Sequence, residues 1–326
     1  MVLMKAPGRY FVTTLAAAAV LSGADVAAKK AAPAPAAPQH AIQLAKAGRC
    51  TEALPALHRA ETHLTDPDLR RQVGMAGVKC GMAVNQAPEA LHFLEALTRA
   101  FPRDPEVLYL ATHVYSDLSI RASQDLLFAA PGSPQVHELN AEALETQGKW
   151  KEALFEYQAA LQKDPHLAGV HYRIGRLLLS QPQTATSTGD AKKEFEDELA
   201  IDPSNAGAEY VLGELARQAG DWNASIGHFS RAAKLDLNFA DAYIGLGRAL
   251  TSADRPQDAI PPLETAVKLE PESPAAHFFL GTAYRHAGRK ADADRQFALH
   301  KEMSDKANQK REQLHSEITG SSGNPQ

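Results

Sequence analysis

Small and bulky apolar positions recur along the chain at a spacing that neither one amphipathic helix nor a strand explains. The stretch "GKWKEALFEYQAALQKDP", residues 148–165, opens on a glycine, continues as an alanine-punctuated amphipathic run and stops at a proline. Around that glycine lie a small residue seven positions before it and small, bulky and small residues five, nine and twelve after it: Ala141, Gly148, Ala153, Tyr157 and Ala160, closed by Pro165. The landmarks return as Gly175, Ala191, Phe195 and Pro203, then as Gly213, Gly220, Ser225, Phe229 and Ala232. Gly247, Ala259, Leu263, Ala266 and Pro271 repeat them, and so do Gly281, Gly288, Ala293 and Phe297. Each set predicts two helices joined by a turn. The small residue at the crossing lets the backbones approach, the bulky one fills the space between units, and proline ends the second helix. No alternating pattern argues for strands, so residues from about 40 to 318 are expected to form only helices, in antiparallel pairs.

The period near 34 residues and these landmarks resemble the tetratricopeptide repeat. The resemblance is specific over residues 134–303 and weaker over 41–133, where "AGRCTEALPALHRA" (47–60) and "APEALHFLEALTRAFPRDP" (87–105) fit second helices and 105–133 fits a shortened unit, for about eight repeats in all. It implies an all-α, right-handed superhelical solenoid of antiparallel helix pairs in which each unit contacts only its neighbours. "KEMSDKANQKREQLHSEI" (301–318) keeps Met303, Leu314 and Ile318 among many charges, so 304–319 is expected to be a polar capping helix and 320–326 a frayed tail. Between Gly175 and Ala191 four extra residues turn "SQPQTATSTGD" (180–190) into a long polar loop.

The amino terminus changes the picture. Lys5 and Arg9 precede an apolar run from Phe11 to Leu21 that ends in Ser22, Gly23 and Ala24, the layout of a secretory signal peptide over residues 1–24, cleaved after Ala24 or after Ala28. An uncleaved anchor helix is the alternative, although the run is short for a membrane span and no cysteine follows to accept a lipid. Residues 25–40 form an Ala/Pro-rich linker that lacks the large apolar residues of a packed element. The mature chain keeps 32 basic against 39 acidic residues, which argues against nucleic acid as a partner. The expectation is an exported protein, periplasmic or extracellular, with no stable membrane anchor after cleavage.

The two cysteines, Cys50 and Cys80, lie in the exported part. Cys50 stands two residues after the Gly48 turn and Cys80 five before the turn expected at Asn85. Both registers point into the interface between successive units, so a disulfide is expected, closing a loop whose constraint is worth on the order of 3 kcal/mol. Two buried free thiols are the alternative.

Motifs for enzyme chemistry are missing: there is no phosphate-cradling glycine loop, Gly-x-Ser-x-Gly elbow, His-Glu-x-x-His helix or Cys-x-x-Cys pair. His137, His171 and His277 fall at one place in three first helices, too far apart to ligate one metal together, and read as core or half-buried imidazoles. Asn223 and Ser225 match a glycosylation pattern but read as turn and packing residues. No catalytic residue, cofactor or metal is expected.

A binding surface is expected on the first helices. Tyr172 and Arg176, an i, i+4 pair, lie off the packing stripe of Ile174, Gly175 and Leu178. The same registers hold Tyr210 with Arg217, Ile244 with Arg248, Phe278 with Arg285 and, upstream, Tyr109 with His113. The fourth repeat offers Glu138, Glu142 and Glu145 instead. In the resembled family this face lines the concave groove, which implies a protein or extended peptide partner, with acidic groups meeting the guanidiniums and apolar groups the rings. The asparagine and lysine of that family's carboxylate clamp are missing here, so its chaperone-tail ligands are not implied. The leading expectation is a non-catalytic binding scaffold. The alternative is a structural or assembly component of a cell-envelope complex that docks through its convex face or ends.

Overall fold

The computed structural model describes residues 38–62, 64–181 and 187–321, with the side chains of 187 and 317–321 outside the description. The expected signal peptide and all but the end of the linker fall outside these residues. The described residues are all-α, with fifteen helices and no strand. They divide into two compact units between Ile120 and Arg121. None of the helices is long and apolar enough to cross a membrane.

Unit 1 contains α1 (Pro38–Lys46), α2 (Cys50–Glu61), α3 (Pro67–Ala83), α4 (Ala87–Ala100) and the first part of α5 (Pro105–Ala129). α1 pairs with α2 and α3 with α4. The last residues of the expected linker are helical, because α1 begins at Pro38: proline suits a first helical turn, and Ala41 and Ile42 one turn on are buried. Residues 105–133 are not a shortened helix pair. α5 is one helix of 25 residues, since neither glycine nor proline interrupts the sequence between Pro105 and Pro131. Asp104 caps it, accepting from the backbone N–H of Glu106 (2.9 Å) and Val107 (3.2 Å), and Arg71 of α3 binds the same carboxylate at 2.8 Å. The sulfurs of Cys50 and Cys80 are bonded, tying the start of α2 to α3.

Unit 2 contains five hairpins: α6/α7 (Pro134–Thr146, Trp150–Lys163), α8/α9 (Val170–Ser180, Ser187–Ile201), α10/α11 (Ala206–Gln218, Trp222–Leu235), α12/α13 (Ala240–Ser252, Pro256–Leu269) and α14/α15 (Pro274–His286, Lys290–Ser321). The small–bulky–small landmarks of the second helices are the core. Tyr157, Phe195, Phe229 and Leu263 are fully buried, flanked by buried Ala153 and Ala160, Ala191, Ser225 and Ala232, Ala259 and Ala266. The crossings are tight: a Cβ placed on Gly247 would lie 2.3 Å from Leu263 Cγ. Ser225 donates to the Gly213 carbonyl at 3.0 Å across its hairpin. The hairpin turns use left-handed backbone, at Gly220 (φ 75°) and at the non-glycine equivalents Asp254 and Asn85 (φ 57° each).

Two expected boundaries move. The capping segment 304–319 is not a separate helix. It continues α15, 32 residues long, because no proline or glycine falls between Lys290 and Thr319. The polar loop expected over 180–190 is shorter, since α9 already begins at Ser187.

One fully buried carboxylate departs from the repeat alphabet. Glu198 of α9 stands where the neighbouring hairpins have Ala160, Ala232 and Ala266. The reason lies at the start of α8, whose cap residue Gly169 has φ 89° and no side chain to cap with. Glu198 accepts from Gly169 N–H at 2.8 Å (Oε1) and 3.0 Å (Oε2), from Tyr172 N–H at 3.3 Å and from Asn205 Nδ2 at 3.2 Å. Asn205 in turn caps α10 through Ala208 N–H at 2.9 Å. The carboxylate thus replaces a missing helix cap with a negative charge at a helix N-terminus, where the dipole favours it.

Candidate functional site

Of the arginine–ring pairs expected along the first helices of unit 2, Arg176 keeps its own helix's Tyr172, while Arg248 and Arg285 lie over rings of other helices. α10, α12 and α14 are successive first helices. Arg217 of α10 donates from Nε to Glu214 Oε2 at 2.9 Å, and Arg248 of α12 approaches Oε1 of the same carboxylate at 3.5 Å. The Arg248 guanidinium lies 4.7 Å over the ring of Phe279 on α14. Arg217, Arg248, Thr251, Ser252, Phe279 and Thr282 line a recess of about 230 Å³. Two guanidiniums share one carboxylate there, beside an aromatic wall. Arginine suits this position because its planar fork binds a carboxylate and stacks on a ring at once.

The flanking residues sort into exposed and structural ones. Arg176 is exposed, 5.9 Å over its own helix's Tyr172. Tyr172 is half-buried edge-on against Phe195. Arg285 is exposed over Phe297 at 5.2 Å, while Phe278, 41% exposed, packs on Phe279, Phe297 and His300. Tyr210 stacks on Phe229 and Phe239. Burial, then Glu214 and Asp241, raise its phenol pKa against the pull of Arg248 and Arg217. Ile244 is buried, so Arg248 has no partner in it; the ring that serves Arg248 is Phe279 of the next hairpin. In unit 1, Tyr109 is 69% exposed and stands edge-on to His113 at 4.4 Å.

The acidic end of the expected groove is partly neutralised. Arg173 of α8 reaches Glu142 at 2.6 Å and Glu138 at 3.4 Å on α6. Burial raises the Glu138 pKa; Arg173 opposes that and Glu142 adds to it. For Arg173 burial works against the charge, but Glu142, Tyr157 and Glu138 together hold its pKa above the ordinary value. Beneath them, burial first and Glu145 next push the Tyr157 phenol up to about 12. Arg173 is the residue the sequence reading missed. It falls on the packing side by helical angle, and only the neighbouring hairpin shows what it meets.

The three histidines are buried or half-buried as expected, and each has a partner across its hairpin. His137 Nδ1 meets Glu156 at 2.7 Å, His171 Nδ1 meets Glu194 at 2.6 Å, and His277 Nδ1 meets Gln296 at 2.7 Å. α10/α11 reverses the order, with Glu209 held by His228 at 2.7 Å and Arg231 at 2.5 Å. The recurrent separation is 19 residues, or 23 across the lengthened loop. That spacing was the available sign of a latch between helices.

Residues 210–264 and 244–298 match the family model described as tetratricopeptide repeat. This stretch is similar to tetratricopeptide repeats. A curated relative, tetratricopeptide repeat protein 37 of Xenopus laevis, is 26% identical over 169 residues, 50% of this chain. The chain spans only 11% of that protein's length. Among solved structures, MamA is 24% identical with a TM-score of 0.47, covering 52% of this chain and 96% of its own. YrrB, described as a tetratricopeptide repeat protein with an unusual peptide-binding site, is 19% identical with a TM-score of 0.48, covering 56% of this chain and 92% of its own.

Proposed function

We propose that the protein is an exported, non-catalytic scaffold that holds an extended, acidic protein segment on the concave face formed by its first helices. The observation that carries this reading is the recess between Arg217, Arg248 and Phe279. A side-chain or terminal carboxylate fits between the two guanidiniums, competing with Glu214, while an apolar neighbour packs on Phe279 and Thr282. Arg176 and Arg285 extend the positive, ring-backed surface on either side. Export is supported by the residue pattern of 1–24 and by the Cys50–Cys80 bond, a kind of cross-link at home in an oxidising compartment.

Exposed apolar side chains away from the recess favour a second reading, docking into an envelope assembly. Phe128 of α5 is 88% exposed and Phe155 of α7 is 68% exposed. A photocrosslinking residue at Thr282 or at Phe155 separates the two. Offered an array of synthetic peptides, the Thr282 protein should crosslink to sequences rich in Asp, Glu and apolar residues and spare basic ones. Crosslinking confined to Phe155 would favour the docking reading.

A further inference from the structure

Unit 1 carries a second cluster, made of two short motifs one repeat apart. α2 contributes His58 and Glu61 and α4 contributes Glu89 and His92, so His-x-x-Glu on one helix answers Glu-x-x-His on the other, 31 residues later. A spacing of three places each pair on one helix face. The pairs meet crosswise: His92 Nε2 lies 2.8 Å from Glu61 Oε2, and His58 Nε2 is hydrogen-bonded to Glu89 Oε2. His58 turns its other nitrogen, Nδ1, toward Glu61 Oε2 at 4.0 Å. The imidazole rings are 4.8 Å apart at 44°, and both rest on the fully buried Phe93, at 4.7 and 5.3 Å.

We propose that His58 Nδ1, His92 Nε2 and the Glu61 carboxylate form a binding site for a divalent transition-metal ion of the zinc type. Two imidazole nitrogens and one carboxylate oxygen are a donor set that zinc accepts, and bonds of about 2.0–2.1 Å to four such donors leave them roughly 3.3 Å apart. One donor of each of the three residues already lies within 4.8 Å of the other two, so small side-chain rotations close the site without moving either helix. Glu89 supplies what a surface ion pair does not require. With Nε2–H of His58 donating to Glu89, Nδ1 keeps its lone pair and becomes a stronger donor; at His92 the ion takes the place of the Nε2 proton shared with Glu61, and the proton moves to Nδ1 or to solvent. The fourth position faces solvent, since the side chains of His58, Glu61 and His92 are 38, 23 and 52% exposed, and takes water. Apolar Phe93 beneath the rings and the Cys50–Cys80 bond at the head of α2 restrict how far the ligands can drift. The cluster of His171, Glu194 and Asp197 in unit 2 has a single imidazole and serves as an internal control.

The test uses the purified, oxidised chain after chelation and dialysis, titrated calorimetrically with zinc and, in parallel, with cobalt as an optical probe. One ion per chain is expected, with the visible bands of four-coordinate cobalt. His58→Ala and His92→Ala should each weaken zinc binding by roughly 100-fold or more and Glu89→Gln by about 10-fold, while His171→Ala leaves it unchanged. Circular dichroism melts without metal check that each variant is folded. Should a histidine variant not fold, paramagnetic shifts of two imidazole resonances in the cobalt-loaded native chain decide the same point. Substoichiometric zinc in excess metal, unchanged binding in the His58/His92 double variant, or cobalt bound without imidazole ligands would overturn the proposal.

Discussion

The two units hold their helices together by different means. In unit 2 one set of buried positions recurs from hairpin to hairpin, a bulky residue between small ones, and a polar latch of histidine against Glu or Gln joins the helices of all but one hairpin. In unit 1 the pattern is looser, and α3 carries Gly74, Gly77 and Gly81 within its span, where a Cβ would lie 2.3 to 2.6 Å from Leu97, Phe93 or the Ala90 backbone. Each such glycine costs a helix about 1 kcal/mol relative to alanine, roughly 3 kcal/mol for the three. The Cys50–Cys80 cross-link joins this same helix to α2 and offsets a loss of that order. A regular repeat array sums many equivalent interfaces, and a degenerate one with close, glycine-lined packing gains more from a covalent staple.

The sharpest way to break this comparison is at the one place where unit 2 departs from its own alphabet. Glu198→Ala restores the alanine of the neighbouring hairpins yet strips the partly buried Gly169 N–H, Tyr172 N–H and Asn205 Nδ2 of their acceptor. It should destabilise unit 2 by about 4 kcal/mol in denaturant unfolding, because several partly buried donors lose their partner together. A neutral outcome would mean that repeat regularity outweighs the cap. Reduction of the disulfide should come next, lowering the stability of unit 1 by about 3 kcal/mol while hydrogen exchange in α10–α14 stays unchanged. Gly247→Ala, which forces a methyl group against Leu263, should cost about 2 kcal/mol. Gly220→Ala, in open space but with φ at 75°, should cost about 1 kcal/mol through backbone strain alone.

How much of this was legible in the sequence depended on whether a residue's role repeats. Tyr157, Phe195, Phe229 and Leu263 announced themselves because the same packing problem is solved four times at one spacing. The register of Cys50 and Cys80 was readable for the same reason, through the turns at Gly48 and Asn85. Glu198 is not legible in the sequence: a single carboxylate among alanines makes sense only beside the uncapped N-terminus of α8. The sequence pairs each arginine with a residue four or seven positions earlier on its own helix, which holds for Arg176 and Tyr172. Arg248 instead uses Phe279 of the next hairpin, and Arg173 reaches back to Glu138 and Glu142 of the preceding one. Contacts between successive repeats depend on the rotation from one hairpin to the next, and spacing within one helix carries no record of it.

The central claim, that the recess between Arg217, Arg248 and Phe279 receives an acidic partner segment, is tested most directly by the salt dependence of one binding isotherm. A peptide selected by crosslinking at Thr282 is titrated into the native chain and into the Arg217→Ala/Arg248→Ala variant at low and high ionic strength. Both arginines are partly exposed, so thermal unfolding of the variant should stay within about 1 kcal/mol of the native value. Its affinity should fall by roughly 10- to 100-fold at low salt, and the salt dependence seen with the native chain should flatten. Equal affinity and an equal salt slope for the two proteins would contradict the account and move the partner off this face.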